Sequence, residues 1–279
     1  MAAFLLAVSL QADEVRVTGT PPLTAPYRLR FQPPKQFDFR IHRIWRTSPQ
    51  GSGNGDQTHE IGIRVFASGK DVGRLVLTVT QFKGHAAIAA DSKWLPKIAG
   101  KVKNLRLSRP FTTGGVGRSW RFAGSNDAGW AGMMAAKACG LYEVGFLELS
   151  YPVTSVGIGS TWQAPIHVGN EGFEAGQLYW VKGMDTVCNY RLDSVDLVQK
   201  TATISFRAKA WITGSFNNYI AGRREALLLT EEQSGKWTVD MATGMPLTFL
   251  AKRTVIDAAK PSIHVPAQTE TTETEGRRG

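Results

Sequence analysis

Acid–base, nucleophilic or metal chemistry in this chain would have to be built from five histidines, two cysteines and a scatter of carboxylates. His42, His59, His85, His167 and His264 fall in five different segments, none within four residues of another. No pair therefore has the spacing of a metal-binding or acid–base motif. Cys139 and Cys188 are isolated, with no CxxC. The G-x-S-x-G elbow, S-x-x-K and H-E-x-x-H are absent. Thr112-Thr-Gly-Gly-Val-Gly-Arg118 has the glycines of a phosphate loop without its Gly-Lys-Ser/Thr ending, so it reads as a turn. The carboxylate pairs Asp193/Asp196 and Glu231/Glu232 sit on polar segments and read as solvated. The sequence thus leans away from catalysis, and it predicts no catalytic residue, metal or cofactor.

Binding chemistry has more to work with. Trp130, Met133 and Met134 lie in an Ala-rich stretch, 127–138, whose spacing predicts a short helix with Asp127 as N-cap and Gly140 at its stop. Together with Trp162 they are the expected lining of an apolar ligand site, because Met adapts to irregular shapes and Trp offers a large apolar area with one polar handle. The alternative is that these side chains are simply core. Arg28, Arg30 and Arg40 are the expected anion-binding set. If segments 27–31 and 37–41 pair as strands, the three guanidinium groups share a face suited to an anionic lipid headgroup or an acidic polysaccharide. No RRM, KH or helix-turn-helix signature accompanies them, so specific nucleic-acid reading is not expected.

These side chains need a frame, and alternation supplies it. Tyr27/Leu29/Phe31, Phe37/Phe39/Ile41, Ile61/Ile63/Val65 and Leu75/Leu77/Val79 each put apolar residues on one face. So do Ala202 through Ile212, Trp237/Val239/Met241 and Leu247/Phe249/Ala251. Period-2 patterning repeated this often predicts a mainly β fold: curved antiparallel sheets with one or two short helices on the apolar face. Glycines at Ser68-Gly-Lys-Asp, Thr113-Gly-Gly and Ala242-Thr-Gly predict hairpin turns. A seam at Tyr151-Pro152 divides a first half, 13–150, from a second, 151–258; the two form two sheets or one continuous domain. Residues 259–279 are Thr-, Glu- and Arg-rich without apolar periodicity past Val265, which predicts a disordered tail.

The chain has 279 residues, 42% hydrophobic and 20% charged, with 33 Lys+Arg against 23 Asp+Glu. That excludes a disordered or collagen-like polymer and leaves room for a sizeable core. The surplus is uneven: residues 13–125 carry +12 and residues 126–279 carry -2. Such a first half attracts polyanions at long range.

The segment Leu149-Ser-Tyr-Pro-Val-Thr-Ser-Val-Gly-Ile-Gly-Ser-Thr-Trp162, followed by Gly235-Lys-Trp-Thr-Val-Asp240 and Thr243-Gly244, resembles an uncharacterised family of exported bacterial β-rich proteins. In that family a Val-x-hydrophobic-Gly-x-x-Trp centre precedes a C-terminal hairpin, and the likeness spans most of residues 25–255. The resemblance implies an envelope location and no known catalysis. Its outline is similar to that of periplasmic lipoprotein carriers, which hold acyl chains in a concavity.

Residues 2–10, AAFLLAVSL, are too short an apolar run to span a bilayer and suit a secretory leader cleaved before Asp13, with residues 1–12 removed. No longer apolar run follows, so no transmembrane segment is expected. In an oxidising compartment Cys139 and Cys188 pair, closing a loop of about 50 residues for roughly 4 kcal/mol; otherwise they are buried free thiols. The expected protein is an exported, non-catalytic binding or scaffolding component of the cell envelope, with a lipid-like or anionic partner. The alternatives are an adhesive surface domain without a ligand and a cytosolic polyanion binder.

Overall fold

A computed structural model of the chain describes residues 16–18, 27–47, 57–86, 102–116, 121–122, 147–168, 172–174, 179–182, 184–218, 222–257 and 268–277. The expected leader, the 127–138 helix with Trp130, Met133 and Met134, and Cys139 lie outside them. The strands are β1 (Arg16–Thr18), β2 (Gln36–Thr47), β3 (Gln57–Gly69), β4 (Val72–Ala86), β5 (Arg106–Thr112), β6 (Gly115–Val116), β7 (Arg121–Phe122), β8 (Thr161–Val168), β9 (Gly172–Glu174), β10 (Tyr179–Lys182), β11 (Met184–Asp196), β12 (Thr201–Asn218), β13 (Arg223–Asp240), β14 (Pro246–Asp257) and β15 (Gln268–Arg277).

They form one antiparallel sheet, in the order β1-β8-β11-β12-β13-β14-β15-β2-β3-β4-β5-β6. It curls into a half-barrel, and helix is almost absent among the described residues. The mainly β class follows from the alternation. Phe37, Phe39 and Ile41 on β2, Ile61, Ile63 and Val65 on β3, and Ala202, Ile204, Phe206, Ala208 and Ala210 on β12 all turn inward and are buried. One bulge on β4 places Thr80 as an extra residue opposite Gly62, and this returns Phe82 to the inner face after Val79. The three predicted hairpins form where glycine marks them, with Gly69 opposite Gly73, Thr112 opposite Gly115, and the β13–β14 turn at 240–246.

Two departures have clear causes. Segment 27–31 does not pair with β2. Leu29 and Phe31 are buried as the alternation requires, but Tyr27 exchanges hydrogen bonds with Val156 (3.2 and 2.8 Å), Phe31 N–H donates to Thr113 O (2.9 Å) and Gln32 N–H to Thr243 O (2.6 Å). The segment crosses the turns instead of extending the sheet. The tail is not disordered over 268–277: β15 fills the slot between β14 and β2, hydrogen-bonded on both sides. Its Gln-Thr-Glu-Thr-Thr-Glu run has no apolar face to betray a strand. β-branched threonine favours the pleat, however, and ladder bonds to the strands on both sides hold the segment in place.

The Asp240–Gly244 motif is a turn that docks segment 27–32. Asp240 Oδ1 accepts from the N–H groups of Ala242 (3.0 Å) and Thr243 (2.9 Å) and from the Thr243 hydroxyl (2.9 Å). Gly244 has φ 64°, and a Cβ there would lie 2.0 Å from Arg30 O. Tyr151 donates its hydroxyl to Gly244 O at 2.6 Å.

Candidate anion-binding groove

Four consecutive long strands, β11 to β14, present opposite chemistry on their two faces. The inner face is aromatic. Trp162 stacks on Tyr190 (centroids 5.6 Å apart, 11° between planes), and Trp237 lies 6.0 Å from Tyr190, 4.5 Å from Phe206 and 4.9 Å from Phe249. Gly235, opposite Phe206, leaves room for that ring, which would meet a Cβ at 2.7 Å. Trp162 is 0% exposed and donates its indole N–H to Ser150 O at 2.8 Å. The structure therefore places it in the core, its surface taken by protein neighbours.

The same interior holds the buried polar groups. Arg109 on β5 makes a two-pronged ion pair with Glu148, its Nη2 2.7 Å from Oε2. Tyr190 donates its hydroxyl to Glu148 O at 3.3 Å. Cys188 is a free, fully buried thiol, which corrects the expected disulfide. Burial pushes its pKa up to about 12, the Glu148 carboxylate adds to the rise, and a hydrogen bond with Tyr190 opposes it. A thiol so held is neither a nucleophile nor ready for disulfide exchange. The two neighbouring glutamates on β13 part company: Glu231 points inward, is buried and accepts from Gln233, whereas Glu232 points outward to Lys209 at 2.8 Å. That hydrogen bond, reinforced by the charge of Lys209, holds the Glu232 carboxyl below its usual range.

The outer face carries a groove of about 860 Å³, lined by Thr161, Asn189, Arg191, Ser205, Arg207, Ser234, Lys236, Leu250 and Lys252 with the backbone beneath them. Register sets its pattern. Across the strands one row runs Thr161–Arg191–Ser205–Lys236–Leu250, and the next runs Asn189–Arg207–Ser234–Lys252. Each cation thus faces a serine on a neighbouring strand, never another cation, and the four cations zigzag over β11, β12, β13 and β14. With strands about 4.8 Å apart and alternate residues about 6.7 Å apart, successive cations are roughly 8 Å from one another at their backbones. No carboxylate lines the groove. Ion pairs stand at its rim, Arg191 with Asp193 at 3.7 Å and Lys209 with Glu232. Lys236 and Lys252 have no carboxylate partner among the described residues.

The expected anion-binding set is not assembled in this way. Arg28 is exposed and Arg30 half-buried on the crossing segment, while Arg40 lies on β2. Arg40 lines a smaller cleft of about 350 Å³ with His42, Glu60, Gly62 and Gln81. No groove cation stands out in the sequence; Arg207 merely falls on the polar side of the 201–212 alternation. Its neighbours are collected by strand pairing over separations that periodicity cannot see. Among the described residues no cluster of three or more His, Cys, Asp or Glu forms a metal site, and no helix is long and apolar enough to cross a membrane.

No protein-family model matches the chain, and no curated protein matches its sequence. Among solved structures it is similar to DynF from the dynemicin biosynthesis pathway of Micromonospora chersina, at 8% identity over 96% of both chains. The TM-score is 0.24, a likeness too slight to carry fold or function.

Proposed function

We propose that this protein binds an extended anionic ligand, without catalysing a reaction on it, as an exported component of the cell envelope. The observation that carries this reading is the zigzag of Arg191, Arg207, Lys236 and Lys252 along a groove with no carboxylate in its lining. Interleaved Ser205, Ser234, Asn189 and Thr161 add hydrogen-bond donors for a hydroxyl-rich chain. The groove holds no imidazole or carboxylate to move a proton, so its chemistry is attraction and hydrogen bonding. A linear acidic polysaccharide suits it better than single-stranded nucleic acid. Base recognition needs exposed rings for stacking, and Tyr190 and Phe206 are buried beneath the groove.

Binding of heparin and polygalacturonate, measured by calorimetry over a salt series, tests the proposal. Four ion pairs give a fall of log affinity against log salt with slope of about 3. The double variant Lys236→Glu/Lys252→Glu loses at least about tenfold in affinity at low salt, whereas Arg106→Glu, outside the groove, changes it little. Wild-type protein that binds neither polymer, or a double variant that binds as well as wild type, ends the reading. Export is checked separately: the mature protein isolated from its host begins at Asp13.

A further inference from the structure

We infer that the end of the half-barrel at which its hairpins turn is a docking surface for an anionic lipid membrane. Hydrogen bonds gather the turns there. Gln32 donates its side-chain N–H to Asp71 in the β3–β4 turn (3.1 Å) and its backbone N–H to Thr243 in the β13–β14 turn. Met241 N–H donates to Lys200 O (2.9 Å), joining that turn to β11–β12, and Phe31 N–H reaches Thr113 of the β5–β6 turn. Tyr151 N–H bonds to Gly114 O (2.8 Å) and Gly159 N–H to Leu192 O (2.7 Å), which brings 151–159 to the same end.

Five aliphatic side chains stand in water on this end: Val198 is 88% exposed, Val72 and Val153 71%, Leu197 68% and Ile158 53%. The other large hydrophobic residues exposed among those described, Phe66, Val187, Trp211 and Leu250, lie on strand faces. Hairpin tips usually carry Gly, Asn, Asp or Ser, so Leu197-Val198 at the β11–β12 tip costs solubility without serving the turn. The turn is made by its neighbours: Asp196 Oδ1 accepts from Val198 N–H (2.9 Å) and Gln199 N–H (2.8 Å), and Lys200 takes φ 53°.

Exposed cations outnumber the acids at this end: Arg28, Lys35, Lys70 and Lys200 stand in water, against the three turn aspartates Asp71, Asp196 and Asp240, whose carboxylates accept hydrogen bonds within or between turns. Aliphatic tips flanked by cations, fixed by hydrogen bonds before contact, match an interface of acyl chains beneath acidic headgroups. A purely polar polyanion would leave the aliphatics without a partner.

Co-sedimentation of the full chain with vesicles of phosphatidylglycerol in phosphatidylcholine, against phosphatidylcholine alone, tests the inference. The expected result is binding that depends on the anionic lipid and weakens in 0.5 M NaCl. Leu197→Ser/Val198→Ser weakens it about tenfold, Lys200→Glu roughly fivefold, and Lys236→Glu/Lys252→Glu in the groove weakens it less than either. Absence of binding to phosphatidylglycerol vesicles overturns the inference, as does undiminished binding by Leu197→Ser/Val198→Ser. Loss confined to the groove variant would do the same, as would a self-association of the wild type that Leu197→Ser/Val198→Ser abolishes, since the tips would then serve a second copy of the chain.

Discussion

The outer faces of β2–β4 and of β11–β14 are built from similar residues and present opposite surfaces. On β2–β4 the register sets unlike charges side by side: Asp38 opposite Arg64, joined at 2.8 Å, and Glu60 opposite Lys83, 3.9 Å apart. On β11–β14 it sets a serine opposite each cation of the groove and keeps the acids to the rim. The first region belongs to the part of the chain with a surplus of twelve positive charges, the second to the part with a deficit of two. Even so, the run of four cations with no carboxylate among them is in the second. A partner within a Debye length, about 8 Å in physiological salt, meets the local arrangement and not the segment total.

The most severe way to break the comparison is to uncouple the two regions. Glu148 ties β11 to β5, the strand paired with β4: Arg109 of β5 holds its carboxylate and Tyr190 of β11 donates to its carbonyl. Glu148→Ala leaves the Arg109 charge buried, and a loss of about 3–5 kcal/mol is expected in urea unfolding. The double variant Arg109→Met/Glu148→Leu recovers most of it, because replacing both partners removes the stranded charge. Gly244 is the second joint, where the β13–β14 turn meets Arg30. Gly244→Ala places a methyl against that carbonyl at positive φ, and a loss of about 1–3 kcal/mol follows, measured the same way.

The fate of each joint shows what a sequence can and cannot disclose. The strand content, inner faces and turns were legible because each is encoded within a few residues, as in Phe37/Phe39/Ile41 or Ser68-Gly-Lys-Asp. The glycine of the Asp240–Gly244 motif was visible as a turn, but its service to Arg30 was not, since the two are more than two hundred residues apart. The groove failed for the same reason. Arg191, Arg207, Lys236 and Lys252 sit in four unremarkable polar positions, and only pairing at one register aligns them. β15 escaped because a strand flanked on both edges needs no apolar stripe. Glu231 and Glu232 are adjacent in sequence, and the pleat alone sends one inward and the other out.

If pairing is what silences β2–β4, removing the acids should wake it. Asp38→Asn/Glu60→Gln leaves Arg64, Lys83 and Arg40 without their neutralising neighbours, and heparin affinity at low salt is expected to rise by roughly threefold. The gain disappears in 0.5 M NaCl. An unchanged affinity would mean that the groove alone sets binding and that the contrast between the faces is of no consequence to a ligand.

The smallest effect is the most direct test of the pairing. Hydrogen bonds from Arg64 hold the Asp38 carboxyl below its usual range; partial desolvation works against them and the guanidinium charge works with them. The unfolded chain, with an aspartate pKa of about 3.9, therefore binds more protons than the native one just below that pH. The stability contributed by the pair is present in full above about pH 4 and is lost as pH falls through the lower native value. The amide introduced by Asp38→Asn cannot titrate, so the small gap in urea midpoint between wild type and that variant stays level from pH 7 to about 5 and closes below about 4. The gap is small because both side chains are about half exposed, at 45% and 50%. Over the same range a sulfated polymer, which stays ionised, binds wild type progressively more like the variant, because protonating Asp38 frees the Arg64 charge. A gap that does not narrow at all between about pH 5 and 2.5, across the unfolded aspartate value, would locate the effect of the substitution elsewhere than in the ion pair, and register would not be what tempers the charge on the outer face of β2–β4.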